Sequence, residues 1–232
     1  MKLSGFVTVL FLVSGIRLFA QIPYEVKESI EFFRLNQHAR EESKSWLEAT
    51  DIEGSPYWND EFKEGTVFTK SKTQYSGISL RYNIYSDQVE FLQDEERVQV
   101  IAAPETIEKI EMNGHSLVYI PYLSGKKIKR GFFIEVENGE KATLLLRPQV
   151  SLRDAKGPGA YQESEPPRFV RGSDDFYIRI GEEPAAFIAR KKDLREIFPT
   201  FQKEVISYIK KHRIRPGKQD QLRDLVRYYN SL

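Results

Sequence analysis

Apolar and polar side chains alternate along most of residues 57–189. The alternation is clearest within residues 77–92, where every second position from Leu80 to Ile84 is apolar. Successive side chains of a β-strand point to opposite faces of a sheet, so a period of two residues indicates strands with one buried face. We therefore expect an antiparallel β-meander over residues 57–189, folded as a curved sheet or a flattened barrel.

Residues 77–92 also predict a β-hairpin. With Ser86 and Asp87 as a two-residue turn, Tyr82 lies opposite Phe91, and the apolar side chains of both strands share one face. A slip of one residue would move every apolar side chain to the other face, so burial selects the register. We expect Tyr82 and Phe91 to be buried cross-strand neighbours.

The remainder of this domain predicts further short strands. Asn113-Gly114 and Asn138-Gly139 are hairpin signals, because both residue types tolerate positive φ. Both faces become apolar near Phe133 and Leu144, so we expect this part of the sheet to be covered on both sides. The further strands are predicted at residues 65–70, 97–101, 106–112, 115–122, 132–136, 141–146, 176–180 and 185–189.

Residues 148–172 interrupt the alternation. Gly157-Pro158-Gly159 and Pro166-Pro167 are poorly suited to a sheet, because proline donates no backbone hydrogen bond to a ladder. We predict a long loop without a regular ladder. Loops of this length are uncommon unless they are functional or disordered.

Helical periodicity replaces the alternation in residues 190–232. Pro199 and Pro216-Gly217 separate three short apolar stripes whose members recur three and four positions apart. Helices this short are marginal in water by themselves, so we expect them to pack on the β-domain. The predicted fold class is α+β. The last stripe contains Leu222, Leu225, Val226 and Tyr229.

The N-terminus has the three parts of an export signal. Lys2 supplies positive charge, residues 6–16 are mainly apolar, and Ala20 is a small residue before Gln21. The apolar run is shorter than the about 20 residues that a transmembrane helix needs. We expect cleavage after Ala20, a periplasmic or secreted product without a transmembrane segment, and a helical or extended segment over residues 21–56. The alternative is an uncleaved anchor or a buried N-terminal helix.

Composition restricts the chemistry. The chain has no cysteine, which excludes disulfides, thiolate metal sites and a cysteine nucleophile. Its 35 basic and 34 acidic residues nearly balance, which does not favour nucleic acid as a partner. Acids are nevertheless concentrated in residues 41–64 and bases in residues 190–218. These segments are either solvated surfaces, or they pair with each other or with an anionic envelope surface.

No motif is specific enough to assign a reaction. Ser124-Gly125-Lys126-Lys127 matches S-x-x-K, but it lies between predicted strands rather than at the start of a helix, and a basic hairpin loop is the simpler interpretation. The three histidines are far apart and lack partners at metal-ligand spacing. We predict no catalytic residue, no metal site and no cofactor.

One polar and aromatic cluster is a candidate binding site. Arg81, Asn83 and Tyr85 lie on the face of the first hairpin that we expect to point outward. The simpler interpretation is a surface ion pair between Arg81 and Glu90, worth under about 1 kcal/mol. The functional interpretation is a face that binds a partner.

Five short runs of residues resemble segments of a known group of proteins. They are Gly65-Thr66-Val67, Tyr75-Ser76-Gly77, Leu80-Arg81-Tyr82-Asn83-Ile84-Tyr85, Lys191-Lys192-Asp193-Leu194 and Arg227-Tyr228-Tyr229-Asn230. They resemble a group of uncharacterised exported proteins from Bacteroidota-type Gram-negative bacteria. The resemblance covers residues 57–232 and implies export, but it implies no activity and no site residue.

Three functions are compatible with these features. The first is a non-enzymatic cell-envelope protein that binds a partner protein or a surface polymer. The second is a carrier of a small ligand or lipid, with an apolar cavity inside the meander. The third is a hydrolase built from some pair of the abundant carboxylates. An exposed aromatic patch would favour the first, a deep apolar pocket the second, and clustered carboxylates with shifted pKa values the third.

Overall fold

The computed structural model describes residues 52–93, 97–157 and 165–232. The predicted signal peptide and the rest of the chain up to residue 51 lie outside the described residues, as do residues 158–164 of the predicted loop. No helix in the described ranges is both long and apolar enough to cross a membrane.

The described chain forms one large antiparallel sheet and a set of C-terminal helices, which confirms the predicted α+β class and the meander. The strands are Lys63–Thr69 (β1), Gln74–Asn83 (β2), Gln88–Leu92 (β3), Val98–Val100 (β4), Ile107–Met112 (β5), His115–Ser124 (β6), Lys127–Glu137 (β7), Ala142–Arg147 (β8), Val150–Arg153 (β9), Arg168–Arg171 (β10), Asp175–Ile180 (β11) and Ala186–Phe187 (β12). Ten of them pair in the order β12-β11-β8-β7-β6-β5-β1-β2-β3-β4, and β9 pairs with β10 in a separate ladder. A 3-10 turn at Pro104–Thr106 precedes β5, and the helices are Lys191–Glu196 (α1), Gln202–His212 (α2) and Gln219–Ser231 (α3).

The large sheet is curled like half of a barrel. The ring centroids of Tyr82 on β2 and Phe132 on β7 are 5.8 Å apart, although three strands lie between β2 and β7 in the sheet. In a flat sheet four inter-strand steps would separate them by about 19 Å. The concave face therefore encloses the main apolar core, and residues from most strands contribute to it.

The convex face also carries an apolar cluster, near β6, β7, β8 and β11. It includes Phe133 and Leu145, and both side chains are fully buried. Ala185 covers the cluster by pairing with β6: its N–H donates to the Pro121 carbonyl at 3.0 Å, and its carbonyl accepts from the Leu123 N–H at 2.9 Å. The prediction that this part of the sheet is covered on both sides is confirmed.

The first hairpin has the predicted face but a different register. Tyr82 and Phe91 are each about 99% buried, as predicted, but Tyr82 lies opposite Val89 rather than Phe91. The connection spans residues 84–87 and is two residues longer than predicted. A register shift of two residues leaves every side chain on its original face, so the burial pattern does not detect it.

The longer turn has a local cause. The backbone N–H groups of Ile84 and Tyr85 both donate to the Pro56 carbonyl, at 2.9 and 3.3 Å, so they are not available to extend the ladder to β3. Asp87 then returns the chain with φ +55°. Pro56 decides the register of the hairpin but lies outside residues 77–92. The sequence of the hairpin alone therefore does not predict this register.

The prediction of an unpaired loop over residues 148–172 is wrong at both ends. Strands β9 and β10 pair antiparallel from Val150↔Arg171 to Arg153↔Arg168. The physical reason is that the prolines lie between these two strands along the chain, where they do not interrupt the ladder.

Residues 52–62 lie over the outer side of the first hairpin. The Trp58 N–H donates to the Tyr82 carbonyl at 3.0 Å, and Glu53 exchanges backbone hydrogen bonds with Pro167 and Phe169. The described end of the predicted segment 21–56 is therefore extended and paired, not helical. As a result, the hairpin face that we expected to point outward is covered.

The C-terminal helices pack on the β-sheet, as predicted, and they lie on its concave side. The four apolar side chains of the last stripe are buried in the main core, and α3 contacts β7 and β8. Asn230 fixes its end, because the side-chain oxygen accepts the backbone N–H groups of Lys141 and Ala142 at 3.0 and 2.9 Å. The position of α3 is thereby set by both apolar packing and directional hydrogen bonds.

Candidate functional site

Arg81, the first residue of the predicted binding cluster, is largely enclosed. Its guanidinium donates to Glu90 Oε2 from Nε at 3.2 Å and from Nη2 at 2.7 Å. The third nitrogen, Nη1, donates to the Asp60 carbonyl at 3.1 Å. The charge lies over the rings of Tyr57 and Phe62, 3.6 and 4.3 Å from their centroids. Only 16% of this side chain is exposed.

The expectation that this face points outward is wrong for Asn83 as well. Asn83 is buried and donates from Nδ2 to Glu90 Oε1 at 3.2 Å, so both oxygens of the fully buried Glu90 carboxylate have partners. Burial, followed by the neighbouring Glu90 charge, raises the pKa of Tyr57. The group is an internal polar network that fastens residues 57–62 to the hairpin.

Tyr85 lies apart from Arg81 and Asn83, the other two residues of the predicted cluster. It lies in the turn, is 42% exposed, and makes an edge contact with Phe169 at 5.3 Å between ring centroids. The structure therefore does not bring Arg81, Asn83 and Tyr85 together on one accessible surface.

A different surface combines charge and apolar exposure. The end of the β6–β7 hairpin, residues 121–130, extends beyond the paired part of β5, and we call it the basic ribbon. Gly125 opens its two-residue turn with φ +61°, the conformation that a type II′ hairpin requires at this position. Every residue from 125 to 130 is exposed.

The ribbon carries four bases in five positions. These are Lys126, Lys127, Lys129 and Arg130. Within the described part of the chain, no carboxylate lies in ion-pair contact with any of the three lysines. Their positive charge is directed to solvent.

The same ribbon exposes two large aliphatic side chains. Leu123 and Ile128 are directly opposite each other in the ladder and are 42% and 63% exposed. Alternation places this pair on the side that continues the concave face, with Arg130 beside it, while Lys127 and Lys129 lie on the other side. The ribbon therefore combines an apolar pair and Arg130 on one side with Lys127 and Lys129 on the other.

The base of the ribbon is held firmly. Ala185 pairs with β6 at Pro121 and Leu123, as described above, and the Arg130 guanidinium lies 5.5 Å from the centroid of the Tyr119 ring. A ribbon fixed in this way presents its side chains without much loss of conformational entropy on binding.

The sequence predicts only part of this surface. It predicts a basic hairpin loop at Ser124 to Lys127, but it does not connect Lys129, Arg130 and the apolar pair with that loop. The available signal was the density of bases around Gly125. The exposure of Leu123 and Ile128 depends on where β5 ends relative to β6, and the alternation of the two strands does not reveal it.

Groups suited to hydrolysis or metal binding are dispersed. Among the described residues, the carboxylates with shifted pKa values are Glu61, Glu108, Asp175 and Asp193, which lie in four different parts of the chain. Burial raises the pKa of Asp175, against the opposing effect of Arg147. No group of three potential metal ligands occurs in the described ranges. Comparison with known protein families, curated proteins and solved structures finds no match for this chain.

Proposed function

We propose that this chain is a non-enzymatic binding protein of the cell envelope, and that its basic ribbon docks on an anionic membrane surface. One observation carries the proposal: four exposed bases lie on the same two-stranded ribbon as an exposed cross-strand pair of Leu123 and Ile128. Export, predicted from the N-terminus, would bring the protein to such a surface.

Electrostatic attraction supplies the first part of the binding free energy. A base near an anionic bilayer contributes about 1 kcal/mol, so the four bases together contribute roughly 4 kcal/mol at low salt. This contribution falls as salt rises, because the screening length shortens to about 8 Å at physiological ionic strength.

The apolar pair selects a membrane rather than a hydrated polymer. Burying a leucine or isoleucine side chain contributes about 1.5–3 kcal/mol when it is complete. Leu123 and Ile128 gain this only from a partner with an apolar phase, which a bilayer interface provides and an acidic polysaccharide does not. Two signals together also match what stable peripheral attachment requires.

Vesicle flotation tests the proposal. The purified protein is mixed with vesicles of phosphatidylcholine alone, or of phosphatidylcholine with phosphatidylglycerol, at low and high salt. We expect flotation only with the anionic vesicles, and less of it at high salt. Replacing Lys126, Lys127, Lys129 and Arg130 by glutamine should abolish flotation.

A matched control removes the same charge elsewhere. Glutamine at the exposed Lys191, Lys203, Lys210 and Lys211 should leave flotation close to that of the wild type. Equal losses in both variants would show that overall charge, rather than the ribbon, drives attachment, and would contradict the proposal.

The pair Leu123→Ser and Ile128→Ser distinguishes membrane from polymer. This variant should bind anionic vesicles more weakly but should bind dextran sulfate, a soluble polyanion, as well as the wild type does. Equal loss on both surfaces, or loss on neither, would overturn the assignment of the apolar pair. Binding of the wild type to dextran sulfate alone would favour a surface polymer as the partner.

A further inference from the structure

A second feature of the concave side is a cavity at one end of the half-barrel. Its volume is about 590 Å³, within the range of small-ligand pockets, about 300–1,000 Å³. Its wall is formed by four buried apolar side chains of the main core, Val67, Tyr75, Ile101 and Ile107.

The rim of this cavity is polar and charged. The turn between β1 and β2 contributes Lys70, and the segment around the 3-10 turn contributes Glu105. A backbone hydrogen bond from the Lys70 N–H to the Thr106 carbonyl, 2.9 Å, joins the two segments. Both charged side chains are exposed, and neither has an ion-pair partner within the described residues.

The cavity and the basic ribbon lie at the same end of the sheet. Strand β1 ends and β5 begins there, since Thr69 pairs with Ile107. Strand β6 runs antiparallel to β5 from the opposite end, so its last residues reach this end and continue into the ribbon. Strand β6 also contacts the 3-10 turn at the rim. A ribbon docked on a membrane would thus hold the mouth of the cavity near the lipid surface.

From this arrangement we propose that the cavity binds one acyl chain of a zwitterionic single-chain phospholipid, with the head group at the rim. The apolar wall suits the acyl chain, and the exposed Lys70 and Glu105 suit the phosphate and the ammonium group respectively. Only the source of the ligand rests on the proposed membrane docking. Binding in solution depends on the cavity alone.

Fluorescence titration with lysophosphatidylethanolamine labelled on its acyl chain tests this directly. We expect saturable binding with a rise in emission as the label enters an apolar site. Ala103 lines the cavity and its neighbour Ala102 is exposed outside it. Ala103→Trp should raise the Kd about tenfold or more by filling the cavity, whereas Ala102→Trp should change the Kd less than about twofold.

Charge variants keep the test decisive if the tryptophan variant folds poorly. Lys70→Gln and Glu105→Gln are surface changes, and each should raise the Kd for the zwitterionic probe about threefold to tenfold. Lys70→Gln should also weaken the binding of a labelled fatty acid, whereas Glu105→Gln should leave that binding unchanged. No saturable binding by the wild type, or equal binding by the Ala103→Trp and Ala102→Trp variants, would overturn the proposal.

The two proposals can fail separately. The ribbon variant with four glutamines should bind the probe in solution with an unchanged Kd, even though it no longer floats with vesicles. Loss of probe binding in that variant would contradict an independent cavity site.

Discussion

Asp87 and Arg147, 60 positions apart in the chain, form an ion pair of 2.8 Å that fastens the tip of the first hairpin to the far side of the curled sheet. Asp87 Oδ1 also accepts from the Tyr82 hydroxyl at 2.8 Å and from the Phe132 N–H at 3.2 Å. The β7–β8 ladder begins at Ile134, so the Phe132 N–H lies where β7 has no partner from β8.

A glycine in the sequence leaves space for the Asp87 carboxylate. A Cβ atom on Gly131 would lie 2.6 Å from Asp87 Oδ2, so the glycine permits the close approach. Asp87 itself has φ +55°, which aspartate and asparagine tolerate better than most residues. Residues of three strands thus converge on one side chain in a turn.

We predict that Asp87→Ala lowers the free energy of unfolding by roughly 2–4 kcal/mol, because it leaves the partly buried Arg147 and two other donors without their acceptor. Asp87→Asn should cost less, since the amide oxygen still accepts one of these hydrogen bonds. Urea titration measures both values. A double-mutant cycle with Arg147→Met should give a coupling of at least about 0.5 kcal/mol. Additive effects would mean that the ion pair does not hold the hairpin tip.

A second prediction concerns Arg81. Its removal leaves the Glu90 carboxylate, which is fully buried, without its charged partner. We expect Arg81→Ala to destabilise by roughly 3–5 kcal/mol, as broken buried pairs do. Arg130→Ala, an exposed arginine in the ribbon, is the matched control and should lie within about 0.5 kcal/mol of the wild type. If both variants unfold at the wild-type urea midpoint, the network around Glu90 is not stabilising.

The contrast between Arg81 and Tyr82 shows what the sequence could predict. Alternation places Tyr82 on the core face whichever way the turn is built, so its burial could be derived from the pattern alone. Burial of Arg81 depends on a separate segment, residues 57–62, which covers the opposite face. The periodicity of the hairpin does not indicate that residues 57–62 cover this face. For that reason the sequence predicts an exposed ion pair between Arg81 and Glu90, whereas the structure buries it.

The same reasoning explains the candidate site. The strands, the helical stripes and the basic hairpin loop follow from local patterns. The exposure of Leu123 and Ile128 and the position of the cavity at the same end depend on how far each strand extends relative to its neighbour. Strand ends are set by tertiary contacts, such as Ala185 pairing with β6.

A third prediction uses the ionisation of Tyr82. Burial, reinforced by the nearby Asp87 carboxylate, raises the pKa of Tyr82 well above its ordinary value near 10. The folded state therefore retains a proton that the unfolded state releases above about pH 10. Stability contributed by this proton is present below that pH and is lost as pH rises further.

Tyr82→Phe removes the ionisation. At neutral pH it should cost about 1–2 kcal/mol, through the lost hydrogen bond to Asp87. Between about pH 9 and pH 11 its urea midpoint should fall less steeply than that of the wild type. Parallel slopes for the two proteins would show that folding does not shift the pKa of Tyr82.

The fourth prediction concerns α3. Its four core side chains, Leu222, Leu225, Val226 and Tyr229, are all at least 98% buried. Burial of such a set, at about 1.5–3 kcal/mol for each side chain, contributes roughly 6–12 kcal/mol as an upper bound, comparable to the net stability of a domain. Deleting residues 219–232 also removes Asn230, which accepts two N–H groups at the start of β8. The truncated protein should therefore be unfolded or insoluble.

Point variants test whether α3 is packed in the core or is a segment that does not stabilise the fold. Leu225→Ala should lower the free energy of unfolding by about 2–5 kcal/mol, as expected when a buried leucine is cut back. Asp224→Ala, at the exposed neighbouring position, should change it by less than about 0.5 kcal/mol. Thermal unfolding followed by circular dichroism compares the three proteins with the wild type. A truncated protein that melts at the wild-type temperature would show instead that α3 is a free segment available to a partner, because its apolar face would then contribute nothing to the fold.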